Sequence, residues 1–89
     1  MSRRYLRFSP EAWEQYCYWQ RVDKDVLKKI NRLLESVCRE PYEGIGKPEQ
    51  LRGNLAGFWS RRITDEHRLV YAVTENGVEI ASCRFHYDK

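Results

Sequence analysis

Apolar and polar residues change their spacing along the chain, and each change marks an element. Tyr5 and Arg7 alternate with Leu6 and Phe8, the two-residue period of a strand. Ser9-Pro10-Glu11 then reads as a helix start, with serine as N-cap, proline at the first helical position and glutamate in the first turn. This helix runs to about Arg21. Trp13, Tyr16, Cys17 and Gln20 share one face at helical spacing, and Tyr18 and Trp19 widen the apolar surface. Asp23 or Asp25 caps a second helix reaching about Arg39. Its stripe is Val26, Leu27, Ile30, Leu33, Leu34 and Val37, with Lys24, Lys28, Lys29 and Arg32 off it. So short a link predicts an antiparallel helix hairpin.

Pro41 follows soon after and stops the second helix. Residues 41–54 read as a loop, with Gly44, Gly46, Pro48 and Gly53, and carry Lys47, Glu49 and Arg52. Strands follow at about 55–63, 67–74 and 78–87, the last two joined at Asn76-Gly77. Register decides which residues share a face. A two-residue loop would leave both faces mixed. A three-residue loop, with Gly77 left-handed, pairs Thr74 with Val78. Leu69, Tyr71 and Val73 then join Ala81, Cys83 and Phe85 on an apolar face, and Arg68, Val70 and Ala72 join Ser82, Arg84 and His86 on the other. If Trp59 and Ile63 point inward, Arg62 joins that polar face. The predicted class is α+β: an N-terminal strand and a two-helix hairpin packed on one face of a small, mostly antiparallel sheet.

Composition narrows the picture. With 89 residues, one domain over 1–89 is expected. No apolar run approaches the roughly 20 residues of a membrane span, and residues 1–5 lack a signal peptide's apolar stretch, so a soluble cytoplasmic protein is the expectation. Three widely spaced cysteines, Cys17, Cys38 and Cys83, argue against a disulfide framework or a zinc site. The net charge of +3 is mild. Arginine, the better phosphate fork, is the commoner base.

The polar face gathers Arg62, Arg68, Arg84 and His86, with Tyr87 at the strand end and Glu49 and Arg52 on the loop. These groups suit RNA cleavage without a metal or other cofactor. A carboxylate takes the 2′-hydroxyl proton, cations stabilise the phosphorane, and an acid protonates the leaving 5′-oxygen. DNA lacks the 2′-hydroxyl. Each residue alone also fits a solvated sheet face or loop. From the residues alone the reading stops at a small basic α+β domain suited to binding RNA.

Five segments carry a resemblance: YWQ at Tyr18–Gln20, KKIN at Lys28–Asn31, EGIGKPEQL at Glu43–Leu51, GFWSRRITDEHRLVYAV at Gly57–Val73 and CRFHY at Cys83–Tyr87. In order and spacing the chain resembles the YoeB toxins of the RelE-like superfamily of bacterial toxin–antitoxin systems. The resemblance implies a ribosome-dependent mRNA interferase that cuts in the A site and inhibits translation. By position, Glu49 is similar to the family's general base, Arg68 to its phosphate-stabilising arginine, His86 to its general acid and Tyr87 to its substrate-orienting tyrosine. Arg62 and Arg52 match RNA-holding basic positions, the family having lysine where Arg52 stands. Lys47 and Arg84 are further candidates for RNA contact. The resemblance also implies a YefM-type antitoxin and a homodimer, to which the aromatics of the first helix could contribute. The alternatives are a ParE-type gyrase poison, a class without the glutamate, arginine, histidine and tyrosine set, and an inactive RNA- or ribosome-binding module.

Overall fold

The computed structural model describes residues 4–86. Tyr87, the expected orienting tyrosine, therefore lies outside the described residues. Strand β1 (Tyr5–Phe8) leads into helices α1 (Pro10–Val22) and α2 (Lys24–Arg39), then strands β2 (Glu49–Gln50), β3 (Trp59–Arg62), β4 (Arg68–Val73) and β5 (Gly77–Ser82). A single 3-10 turn, Gly53–Leu55, precedes β3. The five strands form one sheet in the order β1-β5-β4-β3-β2. Among these strands only the β1–β5 pair is parallel, so the predicted α+β, mostly antiparallel architecture is the one observed. No helix among the described residues is long and apolar enough to cross a membrane.

The helix hairpin turns on one residue. Asp23 ends α1 by donating its N–H to the Trp19 carbonyl, and starts α2 by accepting from the amides of Asp25 and Val26. Of the two aspartates, Asp23 is thus the cap. At the other end, Ser9 caps α1 through the Ala12 amide and its hydroxyl donates to the Ala81 carbonyl, tying the helix start to β5. The stripe of α2 buries Ile30, Leu33, Leu34 and Val37 against the sheet. Full burial of each such side chain contributes about 2 kcal/mol.

Helix α1 uses a different face from the one its aromatic spacing suggests. Ala12, Gln15 and Trp19 are buried, whereas Trp13 is half exposed and Gln20 exposed. Gln15 is drawn in because its Oε1 accepts from the Cys83 amide (2.7 Å), and Trp19 because its Nε1 donates to the Cys83 carbonyl (2.9 Å). Trp13 instead stacks on Tyr16 at the hairpin's flank, with Phe8 against both rings.

The β4–β5 hairpin corrects the expected register. Val73 pairs with Val78, not Thr74, and the Thr74 amide closes the turn on the Gly77 carbonyl. Gly77 is not left-handed; it opens β5 beside Tyr5. The Thr74 hydroxyl accepts from the Gly77 amide, so local bonds favour this tighter closure. The slip is repaired between Tyr71↔Ile80 and Val70↔Ser82, where Ala81 is the extra residue of a bulge. Beyond the bulge the expected pairing holds. Val78, Ile80 and Cys83 are buried as a result, while Phe85, expected on the apolar face, is exposed.

Candidate active site

The site is built on the sheet face away from the helices. Directly opposed residues of antiparallel strands point to the same side. Glu49 faces Ser60, Ser60 faces Val70 and Val70 faces Ser82, a row that spans three strand spacings, roughly 14 Å. Two residues along, Arg62 faces Arg68. Ile63 is buried in the core and Trp59 packs against it, so Arg62 takes the outer face as anticipated. Beside this pair the Arg68 amide donates to the Phe85 carbonyl (3.1 Å), which brings the segment ending in His86 alongside β4. Glu49, Arg62 and Arg68 thus share a face, and His86 follows at its edge.

Each group is positioned by a short local structure. Glu49 lies in a two-residue strand inside what reads from sequence as a plain loop, and the chain before it is anchored by the Arg62 amide on the Gly46 carbonyl (2.7 Å). Lys47 follows with a left-handed φ of 53° and an exposed side chain near the Arg62 end of β3. Arg52 is exposed just before the 3-10 turn. Arg68 is held by its own turn: Nη1 donates to the carbonyls of Thr64 (2.6 Å), Asp65 (3.3 Å) and His67 (3.1 Å). That anchorage uses one nitrogen and leaves the guanidinium plane fixed. Arg62 pairs with exposed Asp65 at 3.6 Å, a contact that a phosphate could displace at little cost.

Arg84 departs from its expected place beside Arg68. Its guanidinium lies 3.7 Å from the Tyr18 ring centroid on α1 and 4.5 Å from that of Phe85, and its buried Nε has no hydrogen-bond partner. Strand β5 ends at Ser82 and the chain bends from Cys83 to Phe85, so strand alternation no longer sets the side of Arg84, and the two rings provide a cation–π seat that a bare sheet face lacks.

Two residues with large structural roles do not stand out in the sequence. Arg61 is completely buried. Its Nε donates to the Tyr71 hydroxyl (3.1 Å), Nη1 to Ser36 Oγ (2.7 Å) and the Ile45 carbonyl (3.1 Å), and Nη2 to the carbonyls of Glu40 (2.6 Å) and Glu43 (2.8 Å). Every N–H of the guanidinium is used. The arginine therefore shapes the strand-like segment before Glu49. Gly44 and Gly46, at φ 121° and 84°, make the close approach possible: a Cβ on Gly44 would stand 2.7 Å from Ser36 Oγ, and one on Gly46 2.6 Å from Leu33. The signal is in the alternation, since inward Trp59 and Ile63 require Arg61 to point inward as well. His67 is the second. Its Nδ1 accepts from the Phe85 amide (2.7 Å), and its ring meets the edge of Trp19.

Burial in the same region pushes the Cys83 thiol from 9.0 up to about 12. The folded chain keeps this proton after the unfolded chain has released it. The group has little effect on stability well below pH 9, and stability falls as pH rises through 9 towards 12. The expected loss is about 1 kcal/mol between pH 9 and 10. Tyr71, also raised by burial from 10.0 although its Arg61 contact opposes the shift, adds to the fall above that window. Urea midpoints at pH 9 and 10 should show a shallower decline for Cys83→Ala. Equal slopes would contradict the assignment.

Residues 8–87 match the YoeB-like toxin family of bacterial type II toxin–antitoxin systems. The chain belongs to that family. It is 60% identical to Toxin YoeB of Escherichia coli K12 over 82 residues, 92% of this chain and 98% of that one. The YoeB dimer structure from Staphylococcus aureus superposes with a TM-score of 0.89 at 55% identity, covering 97% of this chain and all of that one. The toxin in the heterotetrameric YoeB–YefM complex from the same organism gives 0.87 at 55% identity, with the same coverage. This YoeB-like toxin thus matches its relatives along nearly all of the strands and turns that build the face.

Proposed function

We propose that this toxin is a ribosome-dependent mRNA interferase that cleaves mRNA in the A site and so inhibits translation. Glu49 removes the 2′-hydroxyl proton of the A-site nucleotide. The 2′-oxygen attacks the adjacent phosphorus, the bond to the 5′-oxygen breaks, and a 2′,3′-cyclic phosphate forms. Arg68 balances the charge added on the phosphorane. His86 gives its proton to the departing 5′-oxygen, and Tyr87 orients the substrate. Arg62, Arg52 and Lys47 hold the flanking RNA backbone. No metal enters this scheme, because acid, base and cations all come from side chains. Arg84 supports the 83–86 segment in place of the RNA contact expected from its sequence position.

The observation that carries this reading is the common face: a carboxylate at one edge, two opposed arginines in the middle and a histidine-bearing segment bonded to the second arginine. The row of roughly 14 Å is wide enough for a phosphate and its flanking riboses. Likeness to a toxin solved with YefM supports a YefM-type antitoxin that orders on this chain. Likeness to a YoeB dimer supports a homodimer. A cytoplasmic location follows from the ribosomal substrate.

The test is primer extension on ribosomes programmed with a defined mRNA. Addition of the toxin should produce a break inside the A-site codon. Ribosome binding without a break would leave a binding module, and gyrase inhibition without a break would favour the ParE-type alternative.

A further inference from the structure

Phe85 is backbone-strained, and it directly precedes the proposed general acid. Its φ is +68°, a left-handed value that bulky residues rarely adopt and that persists only where the surroundings impose it. The surroundings are specific. The Phe85 carbonyl accepts from the Arg68 amide (3.1 Å), and the Phe85 amide donates to His67 Nδ1 (2.7 Å). His67 is itself held. Its amide donates to Thr64 Oγ1 (3.1 Å), its ring packs 4.9 Å from that of Trp19, and its side chain is only 15% exposed. Trp19 in turn donates to the Cys83 carbonyl two residues upstream of Phe85. Both hydrogen-bonding groups of Phe85 thus bind to adjacent residues of one strand entry.

We propose that His67 is a positioning residue that fixes the chain at Phe85, and through it the direction in which His86 leaves the sheet. The inference rests on the proposed function in taking His86 as the proton donor. His67 is not a proton carrier to RNA. Nδ1 is occupied as an acceptor, which places the proton on Nε2, and Nε2 stands 3.9 Å from the Glu66 carboxylate. Without the acceptor at Nδ1, the Phe85 amide loses its partner, and the left-handed conformation is left to the Arg68 bond on the Phe85 carbonyl and the Arg84 contact on its ring. A return to negative φ would swing His86 away from Arg68.

Isosteres separate this role from simple filling of space. Asparagine can place an oxygen where Nδ1 stands, whereas glutamine, closer to histidine in size, places its amide where Nε2 stands. Single-turnover cleavage on programmed ribosomes should fall between about tenfold and a hundredfold in His67→Gln, the scale of a small misplacement of a reacting group. Ribosome affinity should be unchanged, and His67→Asn should recover most of the rate. Glutamine equal to or better than asparagine would overturn the proposal. The wild-type protein supplies a readout independent of cleavage. Nitrogen NMR of His67 should report the Nε2–H tautomer, and the Phe85 amide should be protected from hydrogen exchange. An Nδ1–H tautomer or an unprotected amide would overturn the latch even where cleavage is normal. Absence of wild-type cleavage with these NMR signatures intact would count against the interferase reading alone.

Discussion

Glu49→Gln should reduce single-turnover cleavage of A-site mRNA by about 10²- to 10⁴-fold, the usual contribution of one positioned acid or base. The substitution keeps the size and removes the ability to take a proton. Glu49 is exposed on an edge strand, so folding should be unaffected and the thermal midpoint should move by no more than about 2 °C. His86→Ala should give a loss of the same order with ribosome binding nearly intact, because it removes the donor for the leaving oxygen and not a backbone contact. The two losses should not multiply in the double variant, since a step already without its base gains little from its acid. Cleavage by either variant at the wild-type rate would remove that residue from the mechanism.

Arg61→Met should destabilise the fold by about 3 kcal/mol, mainly by stripping hydrogen bonds from a buried site. Native stability for a chain of this size is only about 4–13 kcal/mol, so the loss is a large share. The thermal midpoint should fall by about 15 °C. The carbonyls of Glu40, Glu43 and Ile45 and the hydroxyls of Ser36 and Tyr71 all lose a donor. Arg61→Lys should recover little, because an ammonium offers three donors in place of five and no planar fork. The segment leading to Glu49 is the part these bonds hold, so residual folded protein should also cut slowly. A loss below about 1 kcal/mol would mean that water replaces the guanidinium without penalty, and the loop would not depend on it.

Periodic segments are legible in the sequence, and features set by long-range hydrogen bonds are not. The stripe of α2 repeats over about three turns, and its burial follows directly. The first strand and the helix start at Ser9-Pro10 are signalled by local chemistry alone. The face of α1 differs from the expected one because its aromatic residues mark two sides, and the choice between them rests on Gln15 and Trp19 reaching Cys83. The hairpin register is off by one at the turn, since a Thr74 hydroxyl bond and the compensating bulge at Ala81 leave no trace in apolar alternation. The end of β5 at Ser82, followed by a left-handed Phe85, carries Arg84 off the polar face and turns Phe85 outward.

For the candidate site, strand alternation alone puts Arg62 and Arg68 on one face, while the roles of Glu49 and His86 come from family resemblance. A glutamate in an apparent loop has no period to read, and the two-residue β2 forms only because Ser60 and Trp59 lie opposite. Arg61 and Arg62 look alike in sequence. Parity on β3 makes the first a buried clamp and the second a surface cation.

The central claim is that the 2′-hydroxyl of the A-site nucleotide is the nucleophile. The most direct measurement replaces that hydroxyl by hydrogen in a programmed mRNA, at the nucleotide 5′ to the mapped break, and compares cleavage by the wild-type toxin on the two messages. The account predicts a cut in the ribose message, with a cyclic phosphate on its 5′ fragment, and none in the deoxy message at equal ribosome occupancy. A cut at the same position in the deoxy message would contradict it.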